Sequence, residues 1–239
     1  MVLARRFSLL VLVGVALSSA SCIRVEQTLT LQADGSGTFD LRYGMSQEDI
    51  AEMGRMARQA AEMPGAEPGA VPSSPFDFEE DSVRKDFEEY RASGVTLEKI
   101  KTEVIDGWKY LNLSIRFTSL KGLAETEFVS DRGLSLTRLP DGRYEFRQAA
   151  PPQEEGSDLG AVGDMMNEIM KGFHATVRVV APAPVVESNA DRTEGREVTW
   201  EFDLERDAKA LERARKMDLR VVFEGQGLEI PEFQGNETK

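Results

Sequence analysis

The chain of 239 residues holds one cysteine, Cys22, and one histidine, His174. That excludes a disulfide framework and a Cys/His zinc cluster, and leaves a Ser-His-Asp triad only if His174 serves in it. A general base there needs a nucleophile and an orienting acid within reach. No local spacing brings Ser188 to His174, so the imidazole reads as a surface or capping group. Asp77, Glu79, Asp81 and Glu88 occupy positions 1, 3, 5 and 12 of a calcium loop. Ser82, however, stands where the turn glycine belongs, and Arg84 and Lys85 place two positive charges inside the ligand shell. Acids at the start of a helix explain the same residues through its dipole. Asp34-Gly35-Ser36-Gly37 is a hairpin turn rather than a phosphate loop, since no lysine follows and no helix opens there. No metal and no cofactor is expected.

Two weaker signals remain. Carboxylates alone support a glycan hydrolase when two stand roughly 5 to 10 Å apart in a cleft. Six of the nine methionines fall in two groups: Met53, Met56 and Met63 on one helical stripe, and Met165, Met166 and Met170 on another, joined by Ile169 and Phe173. Methionine is ordinary core filler, and it also lines grooves that accept a lipid tail or a partner helix.

Charge narrows the partners. Lys and Arg number 29 against 42 acidic residues, a formal charge of -13. Such a surface repels phosphates, so nucleic acid is not an expected partner.

The N-terminus gives the clearest reading. Arg5-Arg6 precedes an apolar run from Phe7 to Leu17, followed by Ser18-Ser-Ala-Ser-Cys22. This is the pattern of a cleaved export signal over residues 1–21. At about 1.5 Å per residue the run covers roughly half of a ~30 Å hydrocarbon layer, too little for a permanent span. The small residues before Cys22 resemble the lipobox of bacterial lipoproteins, in which the chain is cut before a cysteine whose sulfur carries diacylglycerol. Ser19 departs from the large aliphatic residue usual three positions before the cysteine, and an ordinary signal peptidase would leave a free thiol. Yet the one Cys occupies the one position that lipidation requires. With roughly 0.8 kcal/mol of membrane affinity per acyl methylene, two or three chains on Cys22 make an anchor that needs no basic helper.

The elements that follow must position this residue. Ile23 to Gln32 alternates apolar and polar residues, interrupted only by Gln27, and returns through Thr38–Tyr43. Ser46 suits the N-cap of a helix over about 47–62. A second helix over about 82–92 is capped by Ser82 and ended by Gly94. Val95–Ile105 and Trp108–Phe117 form a long hairpin, with Trp108 and Tyr110 on the face opposite Leu111, Leu113 and Ile115. Ser119 caps a short helix, and Leu134–Leu139 with Arg143–Phe146 forms a third hairpin. A helix at 165–171, strands at 175–181 and 196–204, a helix at about 205–216 and a last strand at 219–223 complete the order. Pro/Gly-rich stretches at about 63–77 and 149–163 read as mobile loops.

The pattern predicts an α+β domain over 22–224: a largely antiparallel sheet built from successive hairpins, with helices packed on one side. Residues 225–239 read as a polar tail, too short to span a membrane.

Cys22-Ile-Arg-Val-Glu-Gln-Thr-Leu-Thr-Leu-Gln-Ala-Asp-Gly-Ser-Gly, together with Gly107-Trp-Lys-Tyr and Ser188-Asn-Ala before Val198-Thr-Trp-Glu-Phe, resembles the LppM-like bacterial envelope lipoproteins. The resemblance implies an extracytoplasmic, membrane-tethered α+β domain with Cys22 as its lipid site and no catalytic residue. The expected partners are the membrane, through the lipid, and an envelope protein or amphiphile at its surface. A carboxylate-based envelope hydrolase and a purely structural surface lipoprotein are the alternatives. Ile23 is not the Asp that resembles an inner-membrane retention signal, which favours the outer membrane of a Gram-negative cell.

Overall fold

The computed structural model describes residues 23–61, 79–126, 129, 133–149, 172–207, 209–215 and 218–234. β1 (Ile23–Leu31) and β2 (Gly37–Ser46) form the first hairpin, with Asp34 Oδ1 accepting the Ser36 N–H at 3.0 Å in its turn. Ser46 caps α1 (Gln47–Ala61): its Oγ accepts the Asp49 N–H at 3.0 Å. α2 (Glu80–Glu89) starts two residues before the expected Ser82 cap, because Glu80 and Asp81 meet the helix dipole in its first turn. A 3-10 turn (Tyr90–Ser93) ends at Gly94, φ +76°. β3 (Val95–Ile105) and β4 (Trp108–Phe117) are joined by Asp106-Gly107 at φ +50° and +80°, the two-residue turn whose twist matches the strands. Ser119 caps α3 (Leu120–Ala124) by accepting the Gly122 N–H at 3.1 Å. β5 (Gly133–Arg138) and β6 (Tyr144–Ala149) make the third hairpin.

β7 (His174–Val180), β8 (Val185–Ser188), β9 (Arg192–Glu194) and β10 (Glu197–Asp203) follow. α4 (Ala210–Arg215) begins later than its expected start at 205, because Asp203 first organises a turn over the residues after it. β11 (Asp218–Phe223) and β12 (Phe233–Gln234) close the chain order. The loop expected at 63–77 and the helix at 165–171 lie outside the described residues, as does the loop at 149–163 beyond Ala149.

The fold class is α+β, as the pattern predicts, but the strands divide into two sheets. Sheet A runs β3-β4-β2-β1-β7-β10-β9 and sheet B runs β12-β5-β6-β11-β8. Every pair is antiparallel except β1 with β7. One sheet with helices on one side would be poorly covered, since α2, α3 and α4 have 10, 5 and 6 residues. Sheet B supplies the missing cover. Leu29, Phe39, Ile115 and Val177 of sheet A join Leu136, Phe146, Val221 and Phe223 of sheet B in one core, with Val83 and Phe87 of α2.

The expected polar tail is corrected as well. Leu228 and Ile230 are buried, Ile230 N–H donates to Tyr144 Oη at 3.3 Å, and β12 pairs with β5. Two apolar residues among acids are enough to hold this segment on the domain.

Two polar contacts tie the sheets together. Gln27 interrupts the apolar face of β1 because its Nε2 donates to Gln148 Oε1 of β6 at 3.3 Å, and the two side chains are only 2% and 1% exposed. Trp200 Nε1 donates to the Asn189 carbonyl and to its Oδ1, each at 3.2 Å, while the same Oδ1 accepts the Arg220 N–H of β11 at 2.9 Å.

Replacing one partner of a buried amide pair by an apolar side chain takes a hydrogen bond from the other. Gln27→Leu should therefore destabilise the domain by about 1–3 kcal/mol. Gln27→Leu/Gln148→Leu should lose less than the single change. Urea melts of the unlipidated Cys22→Ser protein carrying each variant measure the difference, and additive losses would exclude coupling between the two amides.

Candidate functional site

The candidate site is the end of sheet A where β1 begins. Cys22 itself lies outside the described residues, but Ile23, bonded to it, is already the first residue of a strand and is 5% exposed. β1 pairs with β2 from Ile23 to Leu31 and with β7 from Arg24 to Thr30. The residue after the candidate lipid site thus belongs to the centre of a seven-stranded sheet.

Five other strands reach this end. Ser46 closes β2, the β3–β4 hairpin turns at Asp106-Gly107, β7 starts at His174 and β10 ends at Asp203. α1 is attached here too, since the Gln47 N–H donates to the Gly107 carbonyl at 2.9 Å. The outward face carries a stack of cations and rings. The Arg24 guanidinium lies 4.1 Å from the Trp108 ring, Trp108 stacks on Tyr110 at 6.1 Å, and Arg42 lies 4.2 Å from the Tyr110 ring. Gly44 makes this arrangement fit, because a Cβ there would collide with the Tyr110 ring. The alternation of β4 puts Trp108 and Tyr110 on the solvent face in the sequence, and that was the available signal for this cluster.

His174 stands beside Asp203, with Nδ1 and Oδ2 3.6 Å apart. Burial works against the Asp203 charge, yet its carboxyl is held below the ordinary range by the backbone N–H groups of Arg206 and Glu205, each 3.0 Å from Oδ1, and then by the His174 and Arg206 charges. Ser188 does not join the pair. It lies on β8 of sheet B with its hydroxyl 2.8 Å from Thr193 Oγ1.

The remaining sequence candidates are dispersed. Glu79 and Asp81 flank the start of α2, Glu80 Oε1 accepts the Thr102 N–H at 2.7 Å, and Glu88 pairs with Arg91 at 2.9 Å. A helix cannot wrap these acids around one ion, so the calcium-loop spacing is a helix start; Asp77 lies outside the described residues. Glu145 and Glu187 share Arg220, at 2.5 and 2.7 Å, and this pairing raises the Arg220 pKa and lowers that of Glu187. A depression lined by Arg84, Phe87, Glu88, Arg91 and Leu97 encloses about 130 Å³, below the ~300–1,000 Å³ of a ligand pocket. Of the methionine grouping, Met53 and Met56 are on α1 and Phe173 packs against the core. Met63, Met165, Met166, Ile169 and Met170 lie outside the described residues. Among the described residues no three His, Cys, Asp or Glu side chains gather to hold a metal, and no helix is long and apolar enough to cross a membrane.

Fold and site together define a two-sheet α+β domain whose central strand starts at the residue after its one cysteine. No protein-family model matches the chain, and no curated protein matches it. Among solved structures it is similar to the folded domain of LppM from Mycobacterium tuberculosis, determined by NMR, with a TM-score of 0.43 and 15% identity over 84% of this chain and 89% of that one.

Asp203 gives a pH-dependent prediction. A depressed carboxyl contributes stability that is present above its unfolded pKa of about 3.9 and is lost as pH falls through the lower folded value. Asp203→Ala removes the acceptor of two backbone N–H groups and should cost about 1 kcal/mol at pH 7. Denaturant midpoints of wild type and variant should converge below about pH 4; a gap that stays constant down to pH 2 would assign the loss to packing instead.

Proposed function

We propose that this protein is a membrane-anchored bacterial lipoprotein. Diacylglycerol on the Cys22 sulfur holds an extracytoplasmic, non-enzymatic domain that binds a protein or an amphiphile at the membrane surface. One observation carries the reading: the one cysteine ends an export signal, and the next residue opens the central strand of the domain. An anchor at that point leaves no flexible tether, so the domain rides at headgroup level. A lipid on the one sulfur also suits an oxidising envelope, where a free thiol would be exposed to exchange.

The non-enzymatic part is supported by how the candidate groups are occupied. Asp203 has His174 beside it while Ser188 lies on the other sheet bonded to Thr193, and Glu145 with Glu187 spends its charge on Arg220. The chain's negative charge argues against nucleic acid as the ligand. The methionine grouping read from the sequence, of which Met53 and Met56 belong to α1, is retained as the proposed apolar contact for a partner helix or lipid tail. The location proposed is the cell envelope, in the outer membrane where the organism has one.

Cys22→Ser tests the anchor. Wild-type protein should take up a fatty-acid label and sediment with membranes, whereas the variant should be unlabelled and released into the soluble extracytoplasmic fraction. Unlabelled wild type, or a cleaved variant still bound to membranes, would overturn the lipoprotein reading.

A further inference from the structure

The exposed large apolar side chains among those described are Val104 at 56%, Val186 at 49% and Ile105 at 42%. Two of the three are neighbours, and they sit beside the Asp106-Gly107 turn at the tip of the β3–β4 hairpin. Hairpin tips in water are usually built from polar and turn-forming residues. Here the turn keeps its Asp-Gly, but the residues leading into it are apolar. Successive strand residues face opposite sides, so Val104 and Ile105 make the tip apolar on both.

We propose that this tip is a second membrane contact, entering the boundary between lipid headgroups and acyl chains beside the anchor. The inference rests on the lipid-anchored reading of Cys22. Strand pairing places Ile23, Met45, Lys109 and Val104 in one row across sheet A, and the next row outward holds Ser46, Trp108 and Ile105. With strands about 4.8 Å apart, Val104 lies roughly 14 Å from Ile23 across the sheet. The Cys22 Cα is fixed about 3.8 Å from that of Ile23 by the peptide bond. A lipid on Cys22 therefore brings the whole row to the bilayer surface, and the hairpin tip is the part of that row that reaches one residue further.

The side chains around the tip fit a lipid surface. Trp108, half-buried at this end of the sheet, is a ring type that prefers the headgroup region, and it is backed at 6.1 Å by the buried Tyr110. Arg24, over the Trp108 ring at 4.1 Å, and Lys109 have long stems that let their charges reach phosphates while the rings stay deeper. Attraction to anionic lipid is not the driving force, because the chain carries -13 overall and Glu103 and Asp106 stand near the tip. The contact is apolar, so neutral phosphatidylcholine is a sufficient partner and salt should change it little. It becomes effective because the anchor makes it intramolecular. Two attachment points, roughly 14 Å apart, also remove the rotation that a single lipid would leave and hold sheet A upright on the membrane.

The chain's two tryptophans provide the test. Trp200 is buried and bonded to Asn189, so it lies beyond the reach of bromine atoms in acyl chains, whereas Trp108 is at the tip. Full-length protein extracted from its own membrane would be reconstituted in phosphatidylcholine vesicles containing lipids brominated at shallow or deep acyl positions. Shallow bromines should quench the emission more strongly than deep ones, equally in low and high salt, and Trp108→Phe should abolish the quenching. Val104→Ser/Ile105→Ser should lower it several-fold while the protein keeps its fatty-acid label, its flotation with vesicles and its near-UV dichroism. A labelled, floating wild type without quenching, or a double variant that quenches as fully as wild type, overturns the tip contact and leaves the anchor standing. An unlabelled wild type overturns both.

Discussion

β1 is paired along both edges, and everything else in sheet A depends on that. β3, β4 and β2 lie on one side of it and β7, β10 and β9 on the other, so without β1 the sheet is two unconnected three-stranded pieces. The partners differ in kind. β2 is supplied by a tight hairpin, but β7 pairs in parallel, Arg24 beside His174, after the chain has left to build β5 and β6 in the other sheet. Contacts between such distant segments carry a large loop-closure entropy and form late. The strand nearest the candidate lipid site is thus the one whose second edge joins the most distant pair of neighbouring strands in sheet A.

The two sheets need a shared register as well as a shared apolar interior. Apolar side chains are tolerant of small slips, whereas hydrogen-bonded groups are not. Gln27 and Gln148 supply one directional contact in the middle of the core. Asn189 supplies another at the β8 end, where its Nδ2 donates to the Asp218 carbonyl at 2.5 Å while its oxygens accept from Trp200 and the Arg220 backbone. A buried amide pair is not a large net source of stability, but it penalises any arrangement in which the partners miss. The two sheets consequently have one way to meet.

How much of this was legible in the sequence depended on range. The hairpins were readable because period-2 alternation and turns such as Asp106-Gly107 are local, and the caps Ser46 and Ser119 were readable because each bonds a backbone N–H three residues on. Ser82 misled, since a cap is chosen by where the helix starts and Glu80 is held by β3. The division into two sheets was not readable: an apolar strand face shows that it is covered but not by what. Gln27 was visible as an interruption, yet its meaning lay 121 residues away. At the candidate site, Cys22 was legible as the proposed lipid site because export signals are read as linear sequence. The Arg24, Trp108, Tyr110 and Arg42 stack was not, because it is assembled from three strands. Tyr110 needed Gly44, and only the β2–β4 register brings the two together.

A protein held at a membrane surface, as proposed for this one, would meet its own copies at high local density, which makes open sheet edges hazardous. Both edges of sheet A are blunted by means that physical chemistry recognises. β9 is an edge of only three residues, Arg192-Thr193-Glu194, with Arg192 and Glu194 paired to each other at 3.5 Å. β3 is long enough to template another strand, but its register shifts between Leu97 and Lys99, Glu80 occupies the Thr102 N–H, and Lys99 and Lys101 place charge along it. The broad outward face is treated in the same way. Asp40 accepts from Ser114 at 2.7 Å, Glu98 from Arg116 at 2.6 Å, and Arg178 lies 2.9 Å from Glu197, so opposite charges and polar pairs cover the sheet between its rims. Exposed pairs of this kind add little stability, and their value here is that each is costly to desolvate against a second copy. The exception to this covering is the apolar end at Val104 and Ile105, the end nearest Cys22. Sheet A thus resists association along its edges and outward face and relaxes that rule at the end beside Ile23, where, under the proposed anchor, its apolar tip would face the lipid.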